Sequence, residues 1–332
     1  MNQKTLSIII VSFNTANLTL QAINAVIDDL LLNSSLLEKT ELIIIDNNSK
    51  DDSVKMIKEL ISNRSSKLNI SLTVNKKNLG FAQANNLGIS KSQGKYIFLL
   101  NSDTIIQTGA LEQLIKTFEQ HPLDGTTSSL SSHKNSLDHL GILSASLLNS
   151  DGSPQPQGGS LPALFPLFNQ MFFLDDLPVI GKWLPTLQET GKAKKTILSN
   201  NKPYQKGWVA GTAMMLRKEL IEDIGALDEN IFMYGEDVEY CMRAKHHHWD
   251  IAIDPTAKVV HFGSASSSSE TAILGEIQSY LYIWAKHKPH WQRKFLKAIL
   301  YSGILLRIFL FGVILNNKKL TQGYQKAISL LN

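Results

Sequence analysis

One cysteine, Cys241, in 332 residues excludes an intrachain disulfide, and with it the stapled scaffold of small secreted domains. A reducing, cytosolic setting is therefore expected. Twenty glycines and ten prolines are too few for a collagen-like or low-complexity chain. Neither sign of charge dominates: 33 Lys and Arg against 29 Asp and Glu leave a formal net charge of +4. That small excess establishes no concentrated basic face, so no nucleic-acid partner is expected. The opening apolar run Leu6–Val11 is soon interrupted by Asn14, and no small-residue cleavage site follows, which argues against a signal peptide. No Gly-x-Gly-x-x-Gly follows a strand, and no Gly-rich loop ends in Lys-Ser or Lys-Thr, so dehydrogenase and ATPase readings lose their support. A lone cysteine cannot build Cys-x-x-Cys zinc pairs. No repeat with a period of roughly 20 to 50 residues is evident.

What remains is a chain 43% hydrophobic, long enough for one large domain or two modest ones. Leu6–Val11, Glu41–Ile45, Leu68–Val74 and Tyr96–Leu100 are apolar or β-branched runs of strand length. Leu18–Leu32, Asp51–Ser62 and Phe81–Ser90, between them, carry helical apolar spacing. This alternation predicts βαβ crossovers and an α/β fold with a mostly parallel central sheet flanked by helices. Such sheets bind ligands beyond the carboxyl ends of their strands.

Beyond residue 120 the character changes. His121 to His139 is polar and serine-rich and reads as a surface excursion; Gly141–Leu148 resumes a strand pattern, and Asp151-Gly152-Ser153-Pro154 marks a turn. The stretch from Pro154 to Pro203, with its basic patch Lys192, Lys194 and Lys195, reads either as a lid or acceptor-binding segment or as an insertion without a role. Strand-like order returns at Gly207–Leu216 and Ile251–Val260.

Ala298–Leu315 is nearly all apolar, interrupted by Arg307 and flanked by Arg293, Lys294, Lys297, Lys318 and Lys319. A central Arg costs about 2.5–3.5 kcal/mol on insertion scales, which disfavours an isolated transmembrane helix. Basic flanks with Trp291, Phe295, Tyr301, Phe309 and Phe311 suit an amphipathic helix at an anionic membrane surface. The alternatives are a buried terminal helix or an oligomer contact.

Polar groups follow each early strand: Ser12-Phe13-Asn14, Asp46-Asn47-Asn48-Ser49, the block Asn78–Gly88, and Asn101-Ser102-Asp103. An Asp at a strand end accepts from base or ribose groups, Asn donates and accepts, and a helix N-terminus offers free N–H groups to an anion. Singly these are ordinary turn residues. Their order is the informative part. Together with Gly207-Trp208-Val209-Ala210-Gly211-Thr212, Gly235-Glu236-Asp237-Val238-Glu239 and Val260-His261-Phe262-Gly263-Ser264, the chain from Leu6 to about Ser266 resembles the family 2 glycosyltransferases of the GT-A fold, in particular their bacterial rhamnosyltransferase-like branch.

The resemblance implies a domain over residues 1–270, with a donor-binding part over 1–120 and an acceptor-binding and catalytic part over 121–270. A helical tail over 271–332 would follow. It implies a donor pocket of Ser12, Asn14, Asp46, Asn78, Gly80, Asn85, Asn101 and Asp103, with Asp46 on the nucleoside. Asp103 matches the last carboxylate of an Asp-x-Asp motif and His261 a further ligand for Mg²⁺ or Mn²⁺, although Asn101 replaces the first Asp of many relatives. Asp237 matches the catalytic base of inverting members. The competing reading of Glu236, Asp237 and Glu239 is an acidic first helical turn favoured by the dipole. Trp208, Gly211 and Glu236 would face the acceptor, with a core role the alternative for Trp208. The run His246-His247-His248 reads as surface, because successive helical residues diverge.

The implied activity is inverting, single-sugar transfer from dTDP-rhamnose, or from a UDP-hexose or UDP-galactofuranose, to a cell-envelope glycan or lipid-linked saccharide. The Gln-x-x-Arg-Trp motif of processive synthases is absent. The expected location is the inner face of the cell membrane. A non-catalytic subunit that binds nucleotide sugars is the second reading.

Overall fold

The computed structural model describes residues 4–63, 68–123, 137–189, 201–263 and 269–331. Most of the His121–His139 stretch, the Lys192, Lys194 and Lys195 patch, and Ser264 lie outside the described residues. Eleven strands are described: β1 (Leu6–Ser12), β2 (Thr40–Asp46), β3 (Asn69–Val74), β4 (Tyr96–Asn101), β5 (Thr104–Ile106), β6 (Leu140–Leu148), β7 (Gly158–Gly159), β8 (Tyr204–Gln205), β9 (Trp208–Val209), β10 (Ala213–Arg217) and β11 (Asp250–His261). The main sheet runs β3-β2-β1-β4-β10-β6-β11-β5, with β8 on β11, and β7 pairs with β9 apart from it.

The first four strands pair in parallel, as their βαβ alternation requires. The second half is mixed: β10 runs antiparallel to β4 and β6, β11 runs parallel to β6, and β5 and β8 close antiparallel on β11. The intervening helices Ala16–Leu31, Ser53–Asn63 and Phe81–Lys91 fall within a few residues of the spans expected. Alternate strand residues feed opposite faces: Ile8, Ile10, Leu42 and Ile44 enter one apolar cluster, and Ile9, Ile43 and Ile45 the other. Buried on both sides, these strands are nearly continuous apolar runs.

The expected strand Gly207–Leu216 is divided into β9 and β10. Between them the Gly211 N–H turns away from the sheet to the Asp237 carboxylate. The helix Ala110–Gln120 escaped the sequence reading, although Leu111, Leu114 and Phe118 give it a buried stripe. The Asp29 carboxylate accepts from the N–H groups of Gly109 and Leu111 at its start.

A third apolar cluster lies under the C-terminal helices Ser269–His287, Gln292–Phe309 and Lys318–Ile328. Glu239 is wholly buried and joined by Arg243 at 2.9 Å, Lys286 at 2.7 Å and His287 at 2.9 Å. Lys286 also meets Asp228 at 2.6 Å, so helix Ser269–His287 is clamped to the helix Glu236–His246. Arg307, the residue weighed against membrane insertion, is buried. Its guanidinium donates to the carbonyls of Met171 and Gln170, which end the helix Leu164–Met171. Leu296, Leu300 and Ile304 share its buried stripe. Trp291 and Phe295, and one stretch further on Leu305 and Phe309, form two i, i+4 pairs of exposed apolar side chains.

Candidate active site

Register brings the strand-end motifs together. Ser12 lies beside Asp46, Val11 beside Asn101, and Asp46 beside Val74, so three polar loops leave one edge of the parallel sheet at the same level. Asn47 organises them. Its Nδ2 donates to Asn78 Oδ1 at 2.8 Å and to the Gly80 carbonyl at 3.1 Å, and its Oδ1 accepts from Leu79 N at 3.0 Å. Gly80, at φ +81°, leads into helix Phe81–Lys91, and a Cβ there would lie 2.4 Å from the Phe232 carbonyl oxygen. That approach lets Phe81 N donate to the same oxygen at 2.7 Å.

Several residues expected at the donor spend their polar groups on this frame. Ser12 Oγ bonds Thr19 Oγ1 at 2.9 Å, and Asn85 Nδ2 donates to the Phe81 carbonyl at 3.0 Å. Asn14, at φ +54°, accepts from Lys50 N at 2.7 Å. Asn78 serves Asn47 and Gly80. Asp46 is different: it is fully buried, Oδ1 accepts from Ser49 N at 3.0 Å, and Oδ2 has no partner among the described residues. Asn101 Oδ1 is likewise buried and unpartnered among them. Buried orphan acceptors cost about 1–3 kcal/mol each, which a ligand donor would recover.

Asp103 and His261 meet through the sheet. Thr104 pairs with His261 across β5 and β11, and His261 Nε2 lies 3.3 Å from Asp103 Oδ1. An imidazole nitrogen and a carboxylate suit Mg²⁺ or Mn²⁺. Among the described residues no three His, Cys, Asp or Glu side chains converge on one ion, so a bound diphosphate would have to supply further oxygens. The exposed run His246-His247-His248 joins no such group; His247 pairs with Asp223 at 3.2 Å.

On the opposite wall, Gly235 at φ +99° precedes the helix that presents Glu236 and Asp237 in its first turn. Asp237 Oδ2 accepts from Gly211 N at 3.0 Å and Oδ1 from Val238 N at 2.8 Å. Burial nevertheless holds its carboxyl above the ordinary value. Glu236 is buried with Oε2 unpartnered among the described residues, and burial together with the Asp237 charge pushes it up to about 8. The dipole reading of these acids and the catalytic one are therefore compatible: the helix N-terminus holds Asp237, and its burial tunes it.

Both walls line one cleft of about 700 Å³, with Asn47, Asn78, Asn101, Asp103, His261, Trp208, Gly211, Glu236 and Asp237 among its residues. Trp208 is both packed in the core and at the cleft wall. It is 9% exposed with Nε1 donating to the Leu187 carbonyl at 2.6 Å, and it also lines the cleft. Sequence reasoning missed Gln155, and it missed the contribution of helix Ser269–His287, whose Glu276, Ser279 and Tyr280 face the cleft. No sequence pattern marks either.

The fold is shared with solved glycosyltransferases. A structure of GalNAc-T7 with UDP, GalNAc and Mn²⁺ superposes with a TM-score of 0.61 at 16% identity, over 99% of this chain and 56% of that one. The mannosyltransferase PcManGT from Pyrobaculum calidifontis, solved with GDP-Man and Mn²⁺, gives 0.53 at 12% identity, over 100% and 86%. This is a mixed α/β fold of the GT-A kind. The glycosyl transferase family 2 domain matches residues 7–225, and the chain belongs to that family. An N-acetylglucosaminyl-diphospho-decaprenol L-rhamnosyltransferase of Mycobacterium tuberculosis is 25% identical over 171 residues, 50% of this chain and 52% of that protein. An uncharacterized glycosyltransferase of Rickettsia bellii is 35% identical over 115 residues, 35% of this chain and 15% of that one. The chain thus spans about half or less of the length of these curated relatives.

Proposed function

We propose that this chain transfers single sugars, with inversion, from a nucleoside-diphosphate donor to a hydroxyl of a cell-envelope glycan or lipid-linked saccharide. The observation that carries this reading is Asp237, fixed by two backbone N–H groups in the cleft whose other wall presents Asn101, Asp103 and His261. The Asp46 carboxylate would accept from the nucleoside. Asp103 and His261 would hold the divalent cation, whose chemistry when bound is to offset the charge of the leaving diphosphate.

Each Asp237 oxygen retains acceptor capacity beyond its single N–H bond, enough to take the proton of an acceptor hydroxyl. As that oxygen bonds the anomeric carbon, the bond from that carbon to the diphosphate oxygen breaks and its electron pair leaves with the diphosphate. The proton rests on Asp237. Glu236, protonated near neutral pH, has an O–H to donate to a second acceptor oxygen.

The name of the mycobacterial relative supports dTDP-rhamnose as the first donor to test and a polyprenyl-diphosphate saccharide as acceptor class. A membrane-surface location is supported by the stretch Gln292–Ile314, long and apolar enough to cross a membrane, with a mean hydropathy of 1.9 over an 18-residue window. One face of it is packed on protein through Leu296, Leu300, Ile304 and Arg307, which favours lying in the interface over spanning.

Calorimetry with dTDP-rhamnose, UDP-glucose, UDP-galactose and UDP-galactofuranose, each with and without Mn²⁺, tests the donor. Metal-dependent preference for dTDP-rhamnose is expected. Preference for a UDP-sugar would reject rhamnose while keeping the chemistry, and tight binding without turnover on any acceptor would favour the non-catalytic reading.

A further inference from the structure

Gln155 belongs to none of the motifs described above, yet proton counting around it places a proton on His261 Nδ1. Its backbone is pinned: Gln155 N donates to the Leu147 carbonyl at 2.9 Å, Leu148 bridges to Pro154, and the Gln157 amide is bonded into β6. The side-chain chain begins at the turn. Ser153 Oγ donates to Asp151 Oδ1 at 2.6 Å, and an ionised carboxylate only accepts. Ser153 Oγ must therefore accept from Asn149 Nδ2 at 2.9 Å, which turns Asn149 Oδ1 toward Gln155. Gln155 Nε2 donates to that oxygen at 2.9 Å and to the His261 carbonyl at 3.3 Å. Its Oε1 is then the atom 2.6 Å from His261 Nδ1, and two acceptors cannot bond, so Nδ1 carries the proton. In the neutral ring Nε2 is left with its lone pair, and Nε2 is the atom 3.3 Å from Asp103 Oδ1. A lone pair and a carboxylate facing each other repel unless a positive charge lies with them.

We propose that Gln155 is a positioning residue: it holds His261 in the tautomer and rotation that offer Nε2, beside Asp103, to a divalent cation. This rests on the reading of Asp103 and His261 as the cation site. It adds that the site's competence is set from the 149–157 segment, through the ring nitrogen that faces away from the cation. A metal-bound histidine whose other nitrogen loses its partner typically binds 10–100-fold more weakly.

Mn²⁺ binding is measured by calorimetry and electron paramagnetic resonance in the presence of UDP and of dTDP, without acceptor or turnover. Gln155→Leu, which keeps the bulk and removes the acceptor, is expected to weaken Mn²⁺ by about 10–100-fold. Gln155→Glu keeps an oxygen for Nδ1–H but loses the donor to Asn149 Oδ1 and the His261 carbonyl, and is expected to bind Mn²⁺ more tightly than Gln155→Leu, since the acceptor is retained. Long-range ¹H–¹⁵N spectra of the metal-free protein, at a pH where the ring is neutral, read the tautomer directly. His261→Asn identifies the signals. The expected result is a proton on Nδ1 that moves in part to Nε2 in Gln155→Leu. Unchanged Mn²⁺ affinity in a folded Gln155→Leu, or an Nε2-protonated ring in the unaltered protein, overturns the assignment of Gln155 alone. Absence of Mn²⁺ binding by the unaltered protein with either nucleotide overturns the cation reading as well.

Discussion

Asp237→Asn separates the proposed proton transfer from the structural part that Asp237 plays. The carboxylate satisfies two backbone donors, Gly211 N through Oδ2 and Val238 N through Oδ1. Asn offers one oxygen and one NH₂, so one of those N–H groups is left facing a donor, at a cost of about 1–3 kcal/mol. Losing a negative charge in the first helical turn adds about 0.3–1 kcal/mol. The folded state should therefore weaken by about 1–3 kcal/mol and persist, given typical domain stabilities. Activity should fall much further. A positioned base contributes about 10²- to 10⁴-fold, so kcat should drop by that factor while donor affinity stays nearly unchanged. The pH profile supplies an independent check. Burial raises the Asp237 pKa above its ordinary 3.8, and a base works only when ionised. The rate of the unaltered enzyme should rise with pH through a limb above the ordinary Asp range, belonging to the coupled Glu236–Asp237 pair. The Asn variant should lose that limb. Initial rates at saturating donor, donor binding by calorimetry and urea unfolding measure the three effects. An Asn variant that keeps more than about a tenth of kcat would refute Asp237 as the base, given the contribution expected of one.

Gly80→Ala places a Cβ 2.4 Å from the Phe232 carbonyl oxygen at φ +81°, so urea unfolding should show a loss of about 1–3 kcal/mol, with weakened donor binding because the loop is the cleft wall. Glu239→Gln leaves Arg243, Lys286 and His287 around a neutral group, and since breaking a buried pair costs about 3–5 kcal/mol, the melting temperature should fall by many degrees. Glu236 has its folded pKa raised from 4.5 to about 8, so the folded state binds the extra proton, and its contribution to stability is full below pH 4.5 and lost as pH rises toward 8. Glu236→Gln should therefore unfold less readily than the unaltered protein at pH 8, relative to pH 5, in paired denaturation curves. Replacing Trp291, Phe295 and Phe309, exposed at 60%, 57% and 53%, by Ser should abolish flotation with anionic vesicles while leaving thermal stability unchanged, and retention of flotation would remove the interfacial reading.

The strand-end polar residues were legible because their logic is local. A run such as Leu6–Val11 or Glu41–Ile45 is apolar because both sheet faces are covered, and the polar residue that ends it must lie at the strand's carboxyl edge. Asp46, Asn101 and Asp103 could be placed that way before any register was known. What the sequence could not convey is how each side chain is spent. Ser12 and Asn85 are polar and belong to the same strand-end motifs as Asp46, yet they bond Thr19 and the Phe81 carbonyl, while Asp46 Oδ2 has no partner among the described residues. Gln155 was invisible for a related reason, since it touches His261 across 106 positions of chain and no spacing rule reaches that far. Arg307 shows the converse. Its charge suggested a cost against lipid, whereas folding spends it on the carbonyls that end the helix Leu164–Met171.

The segment after residue 270, expected as a tail, is bound to the chemistry by charge. Glu239 is one helical turn from the Gly235 that starts the helix carrying Asp237, and it has no solvent to share its charge with. Burial alone would raise its pKa, yet Lys286, Arg243 and His287 together hold it below the ordinary carboxylate range. Two of those three partners come from helix Ser269–His287. The same helix turns Glu276, Ser279 and Tyr280 into the cleft, and Ser279 donates to the Tyr234 carbonyl just before the Gly235 turn. One helix therefore both compensates the buried acid beneath Asp237 and forms the wall beside it. The family domain match ends at residue 225, before Asp237 and before this helix. The parallel strand ends thus frame one wall, while a helix outside that match shapes the opposite wall and supplies two of the three partners of the buried acid on the helix that carries Asp237.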